Sequence, residues 1–527
     1  MSSLIPPRRR FSGSPRGRPL LRALAAILAC AQALAAPADG VEAVLERARA
    51  ALRPFEAGPL VQLSGTTEEH GLPASFRWIF DRRGFFRRDL RGTFRGSVGY
   101  GGKGLRAVEG HGPPFSPELF EEERWKTVAW VLAGAWALEE GPFEIALDPR
   151  ETDDAIRLHL RLSEGLLRAT LSLDPESAFP TELRFDEAFG GESLILEDWR
   201  EENGAWLPWA VVWRDGLGRE VVEEAQAAGP WTRAEPPWEP VADPRRDWAF
   251  RPDASAEVEA KRTESGHLFI RPKIDGREVG WFLLDSGLST SILRASVADE
   301  LELGSFGETL LMGFGAGGPR PTVFRQSHAV EVGPLFVDGL VLTEAADMGL
   351  ADQLLGEPCA GALGWDVFLR ALVELDPREG GVRLLDPEQK APDGVAWSPL
   401  ALHWRVPYLR GRFAGEREGW FGLDTGAGEL TALFHHGAAR SLGLLDEAGG
   451  QASEARGASG SFQTKPLELA WFELAGQRHA PASVLLSSAE DGEADPYALG
   501  FVGAGLLPER RWIFDYSRSR VGFAKGE

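Results

Sequence analysis

Trp281-Phe282-Leu283-Leu284-Asp285-Ser286-Gly287 recurs later in the chain as Trp420-Phe421-Gly422-Leu423-Asp424-Thr425-Gly426-Ala427. Each copy is a mostly apolar run that ends in Asp, then a hydroxyl residue, then Gly. The run reads as a buried strand. The Gly permits a tight turn with its backbone close to another segment. Each copy therefore delivers a carboxylate to a strand end, with a hydroxyl beside it. One such triplet alone reads equally well as a turn after a strand. Two copies ask for another account.

The flanks repeat as well. A strand-like stretch precedes each copy, His267-Leu268-Phe269-Ile270 and Val406-Pro407-Tyr408-Leu409. An apolar segment with helix formers follows, Ile292 to Leu303 and Leu433 to Leu444. Glycine-rich stretches come next, Gly313-Phe314-Gly315-Ala316-Gly317-Gly318 and Gly457-Ala458-Ser459-Gly460. Then come Ala362-Leu363-Gly364 and Phe501-Val502-Gly503. The last parallel is Val373-Glu374-Leu375-Asp376 with Val382-Arg383-Leu384-Leu385, against Trp512-Ile513-Phe514-Asp515 with Arg520-Val521-Gly522-Phe523. One supersecondary unit is used twice, and such a repeat outranks any local reading.

This order of Asp-Ser/Thr-Gly, glycine-rich flap, apolar-apolar-Gly and closing Asp-containing strand resembles the retropepsin-like aspartic peptidases. It is most similar to the bacterial aspartyl-protease families with two such units in one chain, and the resemblance runs from about Val258 to Gly526. It implies two β-barrel-like lobes related by a pseudo-twofold axis, with Asp285 and Asp424 as a catalytic dyad sharing one proton. It implies support of that dyad by Ser286, Gly287, Thr425 and Gly426, and flaps carrying Gly313, Gly315, Gly457 and Gly460. The substrate it implies is a polypeptide, with no metal or organic cofactor and a monomer as the working unit. Such families usually place Ala or Ser after the Gly; Ala427 fits and Leu288 departs. A non-catalytic envelope protein that binds or carries a peptide or hydrophobic ligand is the alternative.

With 527 residues, several domains are expected, and 43% hydrophobic residues with 18 Trp suffice for substantial cores. Residues 1–36 carry six Arg and no acid, so their removal takes the formal charge from −22 to −28. A body that acidic repels nucleic acid and anionic membrane surfaces. The two Cys, Cys30 and Cys359, argue against a disulfide-stapled scaffold. Cys359 lacks a local basic partner and reads as a structural thiol.

Residues 1–36 read as an export signal: an Arg-rich start, the run Leu20 to Ala29 and a cleavage site at Ala33-Leu34-Ala35. The run is too short, and too interrupted by Arg22, for a good membrane span. Ordinary secretion leads to a periplasmic or cell-envelope location. A lipoprotein anchored at Cys30 and a twin-arginine signal at Arg8-Arg9-Arg10 stay open.

Residues 37–229 read as one α+β domain. Apolar spacing from Val41 to Leu52 predicts an amphipathic helix ended by Pro54. Ser116 to Leu138 predicts a second helix with Ser116 as N-cap. Strands are expected at Leu60–Gly65, Ser75–Phe80, Gly84–Leu90, Ile156–Leu162, Leu171–Asp174, Glu182–Phe185, Ser193–Leu196 and Leu207–Trp213. The mainly β whole thus begins with a curved antiparallel sheet. Leu173 to Thr181 and Asn203 to Pro208 loosely resemble lipoprotein-carrier-like half-barrels, which would imply a concave apolar face. A core simply covered by its helices accounts for the same pattern. Residues 230–256, with six Pro and three Trp, read as a linker packed on a surface. Residues 257–390 form the first lobe and 391–527 the second.

Gly313 to Gly318 also looks like a dinucleotide loop, but Pro319-Arg320-Pro321 cannot open the helix that such a loop needs. A hairpin tip over a cleft is the better reading. His435 and His436 point apart on a helix, and His70, His111 and His159 show no metal-ligand spacing.

Overall fold

A computed structural model describes residues 40–525 except 53–59, 82–83, 118–119, 139–140, 149–153, 164, 186–190, 203, 233–237, 241–244, 316 and 489–496. The proposed export signal and Cys30 lie outside the described residues.

The amino-terminal unit is one antiparallel sheet of twelve strands. From its centre at Val61–Glu69 the chain steps outward through Leu72–Phe80, Phe86–Arg91 and Gly96–Tyr100 to an edge at Leu105–Glu109. Helix Phe120–Leu132 then carries it to the opposite edge, Phe143–Leu147. It returns through Ile156–Leu162, Arg168–Leu173, Pro180–Phe185, Ser193–Glu202 and Ala205–Arg214 to Glu220–Pro230, which pairs with Val61–Glu69. Alternation decides the faces: in Ile156–Leu162, Leu158, Leu160 and Leu162 are buried. Helix Val41–Leu52 adds Val44, Leu45, Ala48 and Leu52 to the same core, and Phe120–Leu132 adds Val128, Val131 and Leu132.

Three local expectations need correction. Among the described residues the second helix runs Phe120–Leu132, and after it the chain makes only a short 3-10 turn at Ala135–Ala137. Ser116 Oγ accepts a hydrogen bond from Arg106 Nη1 at 2.9 Å. Strands Gly96–Tyr100, Leu105–Glu109, Phe143–Leu147 and Glu220–Pro230 add to those expected; Gly dilutes the alternation of the first and adjacent Glu residues that of the last, while the other two are only five residues long. The stretch 230–256 is also more than a linker. Trp231 lies under Arg77 and Arg87, Trp238 packs on Phe85, and Trp248–Phe250 pairs with Leu335–Asp338 of the first lobe.

The repeat is real in three dimensions. In the first lobe, strands lie side by side in the order Leu268–Ile270, Phe282–Leu284, Gly361–Leu363, Ile292–Arg294, Val341–Ala345, Arg320–Gln326, Ser305–Leu311. In the second the order is Val406–Phe413, Arg417–Leu423, Ala498–Val502, Leu433–Phe434, Ala482–Ser487, Gly460–Leu469, Ser453–Gly457. Parallel and antiparallel pairings match position by position. The segments expected as helices each begin as a strand and turn helical afterwards, at Ala295–Glu300 and His436–Ser441. None of these sheets closes as a barrel, so the lobes are open sheets rather than the barrel-like units expected. A shared sheet staples them, with Leu372–Leu375 of one lobe antiparallel to Arg510–Asp515 of the other and Val373 opposite Phe514.

The amino-terminal unit sits directly on the lobes. Trp365 Nε1 donates to Glu109 Oε2 (3.2 Å), and Arg405 Nε donates to Glu109 Oε1 (3.2 Å). Ser519 Oγ donates to the Ser116 carbonyl at 2.8 Å, and Phe120 stacks on Tyr497. Buried Arg370 forms a forked pair with Asp247 at 2.9 and 2.6 Å. No helix among the described residues is long and apolar enough to cross a membrane.

Candidate active site

Both carboxylates emerge from the middle of a sheet. Phe282–Leu284 is wholly buried between Leu268–Ile270 and Gly361–Leu363. The Asp285 amide donates to the Leu363 carbonyl, and the Asp424 amide donates to the Val502 carbonyl, each at 2.9 Å. The apolar-apolar-Gly motif of each lobe thus holds the strand end that presents its Asp.

The two hydroxyls do for each other what neither lobe can do alone. Ser286 Oγ donates to the Leu423 carbonyl (2.8 Å) and accepts from the Thr425 amide (3.1 Å). Thr425 Oγ1 donates to the Leu284 carbonyl (3.0 Å) and accepts from the Ser286 amide (2.9 Å). All four bonds are buried and cross between lobes. This reciprocity is what a pseudo-twofold axis through the grip requires, and it places Asp285 and Asp424 side by side.

Glycine is needed at both motifs because of what lies opposite. A methyl group on Gly287 would sit 2.9 Å from Asp424 Oδ1 and 3.2 Å from Asp285 Oδ1, so one point in space touches both carboxyls. A methyl on Gly426 would collide with Asp285 Oδ2. The Gly287 amide donates to Asp285 Oδ1 at 2.7 Å. Burial pushes the pKa of both acids up. For Asp424, standing well above the usual carboxylate range, the charge of Asp285 adds to the effect. Asp424 Oδ1 is buried and accepts no hydrogen bond from any described donor. A proton shared between the carboxyls would satisfy it, as for any two adjacent acids that cannot both ionise.

Three neighbours of the dyad escape a reading of the motifs. Tyr516, fully buried, aims its hydroxyl at the Ser286 carbonyl (3.4 Å); burial and then the two carboxyls raise its pKa, so it stays a neutral phenol. Trp365 packs against Tyr516 on one side and Phe115 of the amino-terminal unit on the other. Its only sequence signal is its place directly after Gly364. His267, buried and with its pKa lowered by that burial, bonds the Gly426 backbone and accompanies a Glu429 amide to Ser265 carbonyl bond (2.9 Å). Leu288, the departure from the expected small residue, is accommodated. It packs into a side cluster with Leu311 and Met348, and Gly364 makes room, since a methyl there would lie 2.6 Å from Leu288 Cβ.

The four flap glycines come together where the two hairpin tips meet. Gly313 and Gly315 belong to the tip between Ser305–Leu311 and Arg320–Gln326; Gly457 and Gly460 flank the two-residue tip of the other hairpin. The Ser459 amide donates to the Phe314 carbonyl at 3.0 Å, and the Gly317 amide donates to the Ser459 carbonyl. Side chains on Gly315 or Gly457 would strike the facing backbone, so glycine here serves close approach between the two hairpins. Phe314 crosses into the second lobe and packs on Phe462 (4.5 Å between ring centres), Phe501 (5.5 Å) and His435 (5.9 Å). Burial lowers the His435 pKa to about 4, and its Nδ1 has no hydrogen-bond partner among the described residues. Cys359 is buried, donates to the Gly361 and Trp281 carbonyls, and has its pKa raised by burial, as a structural thiol should. No group of three or more His, Cys, Asp and Glu among the described residues is arranged to hold a metal ion.

Residues 270–367 match the family model described as aspartyl protease. That match covers the first motif, the first flap and Ala362-Leu363-Gly364. Among solved structures, the aspartic proteinase from Irpex lacteus is similar over 51% of this chain and 97% of its own, at 13% identity and a TM-score of 0.33. No curated protein sequence matches the chain.

Proposed function

We propose that the chain is an aspartic-type endopeptidase whose dyad is Asp285 and Asp424. The observation that carries this reading is the reciprocal Ser286–Thr425 grip, which brings two half-buried carboxyls with raised pKa side by side at the junction of the lobes. The aspartyl protease match over 270–367 agrees with it.

In this mechanism the pair enters with one proton. The ionised member takes a proton from a water molecule held between the carboxyls, and the water oxygen attacks the peptide carbonyl carbon. The protonated member gives its proton to the carbonyl oxygen, producing a neutral gem-diol. In the collapse the ionised member takes a proton from one gem-diol hydroxyl as the C=O bond re-forms, the C–N bond breaks, and the protonated member gives its proton to the leaving nitrogen. A carboxylic acid and an amine depart, and the dyad again holds one proton. Closure of the flap tips keeps bulk water out while this happens. One chain supplies both acids, so the working unit is a monomer.

The test is incubation of the purified protein with an unfolded polypeptide from acid to neutral pH. Asp285→Asn and Asp424→Asn should each lower the rate by about two to four orders of magnitude while the fold survives, because Asn keeps the shape but neither activates water nor shares a proton. An active Asp285→Asn protein whose rate falls on dilution would instead indicate a dimer built on the second motif alone. The location is proposed as exported, from the Arg-rich start and Ala33-Leu34-Ala35. Sequencing of the native amino terminus should begin near Ala36. A start at Met1 or Ser2 refutes export, and a lipid-modified Cys30 selects the anchored form.

A further inference from the structure

The first flap is anchored from outside its own lobe. Its outer strand, Ser305–Leu311, pairs with Arg320–Gln326, but the register slips between Phe306 and Thr309. Phe306 faces Phe324 and Thr309 faces Thr322, so Gly307 and Glu308 together oppose one residue as a bulge. A bulge leaves backbone groups without ladder partners. Here they find them in the amino-terminal sheet. The turn joining Val61–Glu69 to Leu72–Phe80 is formed by His70 and Gly71, at φ of +53° and +75°. The Glu308 amide donates to the His70 carbonyl at 2.9 Å, and His70 Nδ1 donates to the Glu308 carbonyl at 3.2 Å. A carbonyl only accepts, so this contact places the imidazole proton on Nδ1.

Side chains close the joint. The His70 ring meets the rings of Phe94 and Phe324 edge-on at 4.8 and 4.9 Å. Phe94, also from the amino-terminal unit, packs on Phe306 and Phe324 of the flap hairpin at 6.1 and 4.8 Å. Gly307 has φ of +59°, and a methyl there would lie 3.1 Å from the His70 carbonyl oxygen. Among the described residues the second flap has no such joint: Ser453–Gly457 pairs with Gly460–Leu469 in unbroken register.

We infer that His70 is a positioning residue for the first flap: the amino-terminal sheet fixes the base of that hairpin through the bulge at Gly307-Glu308, so that opening is confined to the tip and the reach of Phe314 into the second lobe is set from outside the first lobe. The inference deepens the peptidase reading and rests on it for its kinetic consequence. Its structural consequence stands alone.

The test uses the full chain with His70→Gly and His70→Asn. Gly keeps the left-handed turn and the backbone carbonyl but removes the ring and its donor; Asn tolerates the same turn and restores an N–H donor. Amide exchange is measured over 305–326 and over the strands of the amino-terminal sheet. Affinity for an unfolded polypeptide is measured in the Asp424→Asn background, and KM and kcat in the active protein. His70→Gly should speed exchange over 305–326 by about tenfold, the scale of one net hydrogen bond plus one aromatic contact. Exchange in the amino-terminal sheet should stay unchanged. Polypeptide affinity should weaken and KM rise by a similar factor with kcat nearly constant, and His70→Asn should recover most of each effect. Unchanged exchange over 305–326, loosening spread equally through the amino-terminal sheet, or His70→Asn as impaired as His70→Gly would each overturn the inference. If the wild-type protein cleaves nothing, the peptidase reading fails, and exchange together with polypeptide binding still decides the role of His70.

Discussion

Asp424 and His435 lie in one site and pull stability in opposite directions with pH. The folded-state pKa of Asp424 is raised, so the fold binds its proton more tightly than the unfolded chain does. Its contribution is fully present below the ordinary carboxylate pKa of about 4 and is lost as pH rises through the higher folded value. Asp424→Asn removes that loss. Its melting temperature should exceed that of the wild type at pH 7, and the gap should close as the pH falls toward about 4. Equal melting at pH 7 would show that the buried charge costs nothing. His435 behaves inversely. With a folded pKa of about 4, its contribution is complete above the unfolded value near 6.5 and is lost as pH falls between the two. Replacing it by Phe in the slot beside Phe314 and Phe501 should hold stability in that window, by at most about 3 kcal/mol. Gly287→Ala tests geometry alone, because its methyl meets Asp424 Oδ1 at 2.9 Å. A shift of the dyad of that kind should cost about a hundredfold in kcat without unfolding the protein.

At the scale of elements, what is legible is what repeats. An apolar run closed by Asp and a hydroxyl residue, with glycine tips and a second apolar-Gly motif behind it, stands in both lobes. Those pieces mark Asp285, Asp424, Ser286, Thr425 and the glycines of the two hairpin tips, and the structure brings the acids and hydroxyls together at one point and the tips together at another. Tyr516 is not legible, because its partner is a backbone carbonyl 230 residues away that no side-chain pattern marks. The strand Gly96–Tyr100 hides because Gly dilutes its alternation, although Val98 is buried. Barrel closure is likewise invisible in local pattern; it depends on whether edge strands meet, and here they do not. The tips carry a test of their own. Gly315→Ala places a methyl against the Gly460 backbone at φ of +126°. It should part the hairpins and raise KM about five- to tenfold, the value of one or two net backbone hydrogen bonds, with little change in kcat. A fall in kcat alone would locate the glycine in the chemical step.

For the whole molecule, the stretch 230–256 is read from its prolines as a tether, yet it carries a structural charge. Asp247 neutralises buried Arg370 of the first lobe. Asp247→Asn removes the forked partner of that guanidinium, leaving Asp366 and Glu109 as its nearby charges, and should lower stability by up to about 3 kcal/mol, read as a lower urea midpoint. A chain ending near Pro230 retains the strand that completes the twelve-stranded sheet and is expected to fold alone. Insolubility without the lobes would mean that the face bearing Glu109, Phe115 and Phe120 cannot be left in water.

That face meets both lobes, at unlike positions, beside a site whose core is twofold. Trp365 follows the first apolar-Gly motif where Ala504 follows the second, and Tyr516 follows the closing Asp of the second lobe where Pro377 follows that of the first. A polypeptide has a direction, amino to carboxyl end. A cleft with true twofold symmetry reads it equally in either sense; one backed by Trp365 in one lobe and Tyr516 in the other, with no counterpart of either across the axis, does not. On the peptidase reading proposed above, a polypeptide should therefore bind in one polarity, with the residues on each side of the broken bond chosen by different lobes.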